Sequence, residues 1–199
     1  MRRAMIWAGA AFLLLFALAA GGWLYVMGNV EQPSYALVEA EGAVEIRDYP
    51  ALVVAEVERA GSRGEAVRAG FGPLAGYIFA REREGEKIAM TAPVTQRQAG
   101  EAWAVRFIMP SEYRLEDLPL PAGAEVSLKP LPPMRRAAIR FSGRADDALI
   151  AAEEAKLRAF LAARGLEPAG PPEYAYYNDP WTPGFLRRNE VLFDLAPAG

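Results

Sequence analysis

A repeat with a constant offset constrains the fold of this 199-residue chain more than any other feature of its sequence. Corresponding residues lie 82 positions apart: Val44 and Val126, Val57 and Ile139, and Gly61 and Gly143. Each copy starts with two segments of alternating apolar and polar residues, as in Val44–Tyr49, continues with a helical segment and closes with two further strands. The sequence therefore predicts an α+β fold built from a duplicated ββαββ unit. The two units share one core, because a single unit would leave one face of its sheet in water.

The helical segment of each copy has the features of an amphipathic helix. In the first, about Gly64 to Ala80, apolar residues recur every three or four positions. These residues are Val67, Phe71, Leu74 and Ile78. In the second, Asp146 or Asp147 is suited to cap the N terminus and Gly165 to end the helix. We expect each helix to pack one apolar face against the sheet.

The N terminus is a separate apolar segment. Met5 to Met27 contains no charged residue, and at about 1.5 Å per helical residue it reaches roughly 34 Å, enough to cross a bilayer. Arg2 and Arg3 precede it, so the positive-inside rule predicts a cytoplasmic N terminus and an exported domain. A cleaved signal peptide is the alternative, because the small residues Ala17 and Ala19 form a typical cleavage site.

The remaining chain is expected to form one domain on the far side of the membrane, which is the periplasmic side in a Gram-negative bacterium. The expected organisation is a cytoplasmic N terminus at 1–4, a transmembrane helix at 5–27, a linker at 28–34, the domain at 35–195 and a tail at 196–199. The lipid bilayer is then a partner of the protein through its N-terminal helix.

The amino-acid composition removes several classes of chemistry. The chain has no cysteine and no histidine, which excludes disulfides, metal sites built on thiolate or imidazole, cysteine nucleophiles and Ser-His-Asp relays. With 22 Lys and Arg residues against 25 Asp and Glu, the net charge is −3, whereas binding to nucleic-acid phosphates requires clustered positive charge. We therefore expect no nucleic-acid partner.

Four separated segments of the chain form a recognisable set: Val44–Pro50, Phe71–Ile78, Lys87–Thr95 and Arg187–Val191. Together they resemble segments of the SOUL haem-binding protein family, and the resemblance extends over about residues 35–195. It implies a distorted antiparallel β-barrel flanked by two helices, with a pseudo-two-fold axis, preceded here by the N-terminal transmembrane helix. The constant offset of the repeat agrees with that symmetry.

The resemblance also implies a ligand and the residues that bind it. Haem or another tetrapyrrole is expected as a non-catalytic ligand, in a shallow apolar cleft on the first helix with basic side chains at the propionates. The residues that match by motif are Arg68 for a basic position and Phe71, Leu74, Ala75 and Ile78 for the apolar wall. A second basic residue of some family members has no counterpart, because Thr182–Leu186 occupy that region.

Iron ligation is the property in which such a site would be unusual here. Haem iron is usually held by His, Cys, Met or Tyr, and the first two are absent. The remaining candidates are Met90, Met109, Met134 and the tyrosines, among them Tyr174, Tyr176 and Tyr177. Methionines on strands are typical core residues, and these tyrosines are typical of cross-strand aromatic pairs. We therefore expect haem to bind without a strong axial ligand.

Two other functions remain open from the sequence alone. One is general binding or sensing of amphipathic small molecules. The other is hydrolysis by Glu190 or Glu153 with a tyrosine, which requires a carboxylate of raised pKa inside the cleft. Strand alternation puts Arg188 and Glu190 on one face and Arg187 and Asn189 on the other, and we expect half of this motif to be a solvated rim.

Overall fold

The structure, a computed structural model, describes Gly22, residues 30–81 and residues 83–196. Residues 30–196 contain an antiparallel sheet of nine strands. The strands are β1 (Ala36–Glu41), β2 (Val44–Tyr49), β3 (Leu52–Arg59), β4 (Val94–Ala99), β5 (Ala102–Ile108), β6 (Ser127–Leu131), β7 (Met134–Phe141), β8 (Glu173–Tyr176) and β9 (Asn189–Asp194). Two α-helices, α1 (Arg63–Ile78) and α2 (Asp147–Ala163), complete the α+β fold of this region.

The predicted membrane anchor, residues 5–27, falls outside the described residues except for Gly22. In the part of the chain that the structure describes, no helix combines the length and the apolar character needed to cross a bilayer.

The duplicated ββαββ unit is confirmed. β3 begins at Leu52 and β7 at Met134, which keeps the offset of the repeat, and each of these strands is followed by a helix and two strands. The order in the sheet is β1-β2-β7-β9-β8-β4-β5-β3-β6. β2 of the first copy pairs with β7 of the second, and β6 of the second pairs with β3 of the first. Each copy thus gives its first strand to the other, and this exchange joins the two copies in one sheet.

The closed barrel implied by the resemblance is wrong. The sheet begins with β1 and ends with β6, and in the described residues these two strands do not pair with each other. β1 precedes the repeat, pairs with β2 along its length and has exposed residues throughout. The additional strand therefore occupies the edge of β2 that closure would require, and the sheet remains open.

Both helices cover the same face of the sheet. Val94 of β4 and Tyr176 of β8 are directly paired and therefore project to the same side. Val94 belongs to the core beneath α1 and Tyr176 to the core beneath α2. α1 packs on β3 and β5, whereas α2 packs on β7 and β9. Each half of the sheet thus has its own helix and its own apolar core, and the single shared core expected from the sequence is wrong.

Side-chain caps fix where each helix begins. Ser62 and Glu65 form a capping box at the start of α1. At the start of α2, the carboxylate of Asp146 accepts a hydrogen bond from the Leu149 amide at 2.9 Å, so Asp146 rather than Asp147 is the N-cap. Gly165, with φ of 65°, follows the last turn of α2, and its role as the end of the helix is confirmed.

A close approach between α1 and the sheet generates a prediction. A Cβ atom added at Gly70 would lie 2.8 Å from the Cβ of Val105, whereas one added at Gly72 would meet no heavy atom within 4 Å. We expect Gly70→Ala to reduce the free energy of unfolding by about 1–3 kcal/mol, because the added methyl group would overpack the contact between α1 and β5. Gly72→Ala is the control in the same helix and should increase it by about 0.5–1 kcal/mol. Urea unfolding of the two variants measures the difference, and a Gly70→Ala variant as stable as Gly72→Ala would contradict the packing described.

Candidate functional site

The outward face of α1 is an open, partly apolar surface with arginine at both ends. Arg68 and Gly72 are exposed on successive turns, and Phe79 is partly exposed just after the helix. Arg68 forms no ion pair with any residue that the structure describes. Arg81 lies beyond Phe79, with its guanidinium carbon 5.8 Å from the centre of the Phe79 ring. From Arg68 to Phe79 this surface is about 16 Å long, at 1.5 Å per residue.

The five residues predicted for the site separate into two groups. Leu74, Ala75 and Ile78 are buried in the core between α1 and the sheet. Phe71 is 45% exposed, and its ring meets the edge of Phe107 with the ring centres 5.2 Å apart. The structure therefore brings Arg68 and Phe71 to the surface, with the other three residues beneath them. The apolar wall that the resemblance implied is thus at the surface only through Phe71, because the other three residues pack on the sheet.

A narrow slot continues the α1 surface at Gly76. It has a volume of about 60 Å³ and lies between α1 and the segment 121–126. A Cβ atom at Gly76 would meet no heavy atom within 4 Å. Arg83 also lines the slot, and its guanidinium donates hydrogen bonds to the carbonyls of Tyr77 and Glu86 at 2.9 Å each. The open position at Gly72 was not singled out from the sequence, because a glycine inside a helical pattern carries no signal of exposure by itself.

A larger cavity of about 260 Å³ lies apart from α1, beneath residues 31–34. Its walls are mainly apolar and include Met109 and Tyr113. Residues 31–34 cover it as a strap: the carbonyl of Glu31 accepts a hydrogen bond from the Ala92 amide, and its carboxylate accepts one from the Ser111 amide, both at 2.8 Å. This volume is slightly below the range of about 300–1,000 Å³ that holds drug-sized ligands.

The sheet face opposite the helices is lined by paired charges, and we call it the charged face. Its ionised residues are Arg47, Glu56, Arg97, Arg106, Lys129, Arg136, Glu173, Arg188, Glu190 and Asp194. They alternate along their strands with residues of the two apolar cores, as Glu190 does with Val191. Six of these side chains are positive and four are negative, and each carboxylate pairs with at least two of the basic side chains.

Glu190 is the centre of one cluster on the charged face. Its carboxylate accepts hydrogen bonds from Arg47 at 2.8 Å, from Arg188 at 2.7 Å and from the Tyr177 hydroxyl at 2.9 Å. Burial alone would raise the pKa of Glu190, but Arg47 and Arg188 hold it below its usual value. The expected division of the motif between two faces is correct. The expected solvated rim is wrong, since Asn189 and Glu190 are buried and Arg187 and Arg188 are half-buried.

Glu173 is the centre of a second cluster. It accepts hydrogen bonds from Arg136 at 2.8 Å and from Arg106 at 3.0 Å. Asp194 binds the same group of arginines, with Arg136 and Arg97 each at 2.7 Å. Burial acts to raise the pKa of Glu173, but the three arginines keep it below its usual value. Glu173 thus remains ionised in the interior because arginines of three other strands, β4, β5 and β7, compensate its charge.

The tyrosines considered as iron ligands are held by other groups. Their hydroxyls donate to protein acceptors: Tyr174 to Glu154 at 2.9 Å, Tyr176 to the Gln96 side chain at 3.1 Å and Tyr177 to Glu190 at 2.9 Å. Burial raises the pKa of all three phenols. Since tyrosine binds iron as the phenolate, the raised pKa values disfavour ligation by these residues.

The loop between β8 and β9, residues 178–188, contains the region where the resemblance would place a second basic residue of the ligand site. Its side chains there include exposed apolar ones. Trp181 is 90% exposed, Phe185 79% and Leu186 53%. The Gly143 amide donates a hydrogen bond to the Gly184 carbonyl at 2.9 Å, and this bond attaches the loop to the end of β7.

Comparisons with known proteins give a family and a fold. The family model described as SOUL heme-binding protein matches residues 30–194. The C-terminal domain of EcmrR has a TM-score of 0.59 and 11% identity, over 82% of this chain and 99% of that one. A hydrolase from Listeria innocua has a TM-score of 0.57 and 12% identity, over 80% and 94% of the two chains. At these identities the two structures show the fold alone. No curated protein matches the chain.

The cluster around Glu190 leads to a test of stability. We expect Glu190→Gln to lower the free energy of unfolding by about 3–5 kcal/mol, because two arginines lose a buried counter-charge. Asp48→Asn is the control on β2, since it removes an exposed pair with Arg135, and should have little effect because water screens that pair. Chemical denaturation compares the two variants. Equal losses would show that the buried cluster contributes no more than a surface ion pair.

Proposed function

The chain belongs to the SOUL haem-binding protein family, and from this premise we propose that it binds haem or a related tetrapyrrole on the outward face of α1. The porphyrin ring would lie over Phe71 and the open helix surface at Gly72. A propionate would pair with the guanidinium of Arg68. The family supports haem as a non-catalytic ligand, and the position of the cleft on α1 is our proposal.

The observation that carries this proposal is the combination on one helix of a half-exposed phenylalanine, an uncovered glycine and an arginine that pairs with no carboxylate among the described residues. Apolar burial contributes about 25 cal/mol per Å², so covering an aromatic ring of this kind favours binding. A charge-assisted hydrogen bond between Arg68 and a propionate adds about 1.5–3 kcal/mol. Glycine permits a flat ring to approach the helix backbone closely, because it has no Cβ.

The residues present fit the organic part of haem better than its iron. Neither the slot of about 60 Å³ nor the cavity of about 260 Å³ can enclose the ring, which favours a surface cleft. Met109 is buried in the core, whereas Met90 and Met134 are half-buried on other elements. When bound, haem would supply a planar apolar ring with two carboxylates and an iron without a strong protein ligand.

We propose further that binding occurs without catalysis. The hydrolase hypothesis requires a carboxylate of raised pKa, but the pKa of Glu190 is lowered and its oxygens are occupied by arginine and tyrosine. Glu153, the other candidate, forms an ion pair with Lys156 at 2.7 Å on α2. Neither carboxylate therefore supports the role of a general acid.

A second candidate function, binding of small amphipathic molecules, is favoured by the cavity beneath residues 31–34. Its apolar walls and polar mouth suit a ligand smaller than haem. The two functions use different places on the domain, so they are separable by experiment.

We retain the proposal that residues 5–27 anchor the protein in the membrane, with the domain on the periplasmic side. The support for it is the uncharged run from Met5 to Met27 after Arg2 and Arg3. A membrane-attached binding domain would hold its ligand at the bilayer surface.

The first functional test is the charge of Arg68. Arg68→Glu should weaken haemin binding at least about tenfold, since one charge-assisted bond is lost and 1.4 kcal/mol corresponds to that factor. The stability of the ligand-free protein should remain unchanged, because Arg68 is exposed. Absorbance titration with haemin and thermal unfolding give the two readouts.

Arg158→Glu is the control for this substitution. Arg158 lies on α2 over the other half of the sheet and pairs with Glu154 at 2.8 Å, so its reversal should leave haemin affinity unchanged. Equal affinity of the two variants would remove Arg68 from the site.

The second functional test concerns the iron. Haemin and iron-free protoporphyrin should bind with similar dissociation constants, because the chain has no histidine or cysteine and its buried tyrosines are held as phenols. Fluorescence quenching measures both ligands on the same protein. A preference for haemin of more than about tenfold, or 1.4 kcal/mol, would show that methionine or tyrosine ligation contributes to affinity.

A further inference from the structure

We propose that the β8–β9 loop is a membrane-contact surface that inserts Trp181 and Phe185 into the lipid interface. This inference rests on the proposed anchoring of residues 5–27 and assigns a second contact between the protein and the bilayer. Single exposed apolar residues are common on proteins, but here three of them occur within six residues of one loop, with exposures of 90%, 79% and 53%.

The loop holds these side chains away from the domain by its own hydrogen bonds. The Asp179 carboxylate accepts from the amides of Trp181 at 2.8 Å and Thr182 at 2.9 Å. From the other end of the loop, Arg187 donates to the Thr182 carbonyl at 2.8 Å. Thr182 itself is buried. A loop fixed in this way keeps its apolar side chains in water, which is costly unless another apolar phase covers them.

The loop lies at the end of the domain where the N-terminal segment joins it. The side-chain oxygen of Gln32 accepts a hydrogen bond from Arg188 at 2.9 Å, and Arg188 is the last residue of the loop. Met27, where the apolar run ends, is five residues before Gln32. Five residues span at most about 18 Å. A bilayer that contains residues 5–27 is therefore within the reach of the chain from the base of this loop.

The size and composition of the patch favour lipid over a protein partner. A stable protein interface buries at least about 1,000 Å² in total, whereas an aromatic side chain buries about 150–250 Å². Two aromatic residues and one leucine thus provide too little area for a stable protein contact. Tryptophan with neighbouring apolar side chains is typical of segments at the membrane interface. Arg144 lies beside Gly184 and is exposed, where it can meet anionic headgroups.

The absence of cysteine in the chain permits a direct test. Phe185→Cys gives one labelling site for a nitroxide in the full-length protein, reconstituted in vesicles of phosphatidylethanolamine and phosphatidylglycerol. Glu101→Cys is the control, in the exposed turn between β4 and β5. Val94, at the start of β4, pairs with Tyr176, the last residue of β8 before the loop. Glu101 lies about 20 Å away, beyond the other end of β4, so the control label is far from the loop. Paramagnetic relaxation compares collisions of each label with oxygen and with a water-soluble nickel complex.

We expect the label at position 185 to show a severalfold higher ratio of oxygen to nickel collisions than the label at position 101. Equal ratios in protein that sediments with the vesicles after an alkaline wash would overturn the loop contact while leaving the anchor intact. Protein that remains in the supernatant would reject the anchor itself. If the label at 185 is in water and becomes immobilised only when haemin is added, the loop belongs to the tetrapyrrole site and the membrane contact is wrong.

Discussion

The buried ion pairs of the charged face are the constraint on which the rest of the structure depends. Leaving a buried carboxylate without its partner is strongly destabilising, so Glu173 and Glu190 require arginines of other strands at hydrogen-bond distance. A shift of one residue in strand register would turn these charges into the apolar cores beneath the helices. The pairs therefore fix the register of the sheet together with the cores, and the sheet in turn fixes the position of α1.

This arrangement explains why the ligand site is expected on the outside of the domain. The charged face is filled by ion pairs whose carboxylates are fully engaged, as the contacts of Glu190 illustrate. The opposite face is covered by helices, and Leu74 and Ile78 hold α1 on the sheet. What remains accessible on α1 is its outward face, where Arg68 and Phe71 lie. The buried residues thus hold α1 in place, and the residues on its outward face contact the tetrapyrrole.

The sequence predicted the parts of the fold that follow from local pattern. Its predictions were wrong where one pattern is compatible with two structures. The repeat offset correctly predicted both ββαββ units, and Gly165 the end of α2. Closure of the barrel was wrong because β1 covers the edge of β2. Alternation located Glu190 on the face opposite Asn189, but it cannot distinguish a solvated charge from a buried pair, since the partners come from distant strands. Likewise, helical spacing cannot tell that Leu74 lies in the core while Phe71 is half-exposed.

The central claim is that the tetrapyrrole lies on the outward face of α1, and hydrogen–deuterium exchange of the full-length protein with and without haemin tests it most directly. The account predicts slower amide exchange in α1 and in the segment 121–126, with unchanged exchange around the cavity that residues 31–34 cover. Protection confined to residues 31–34 and 108–113 would contradict the account and identify the cavity as the ligand site. Protection confined to residues 178–188 would contradict it as well and transfer the site to the β8–β9 loop.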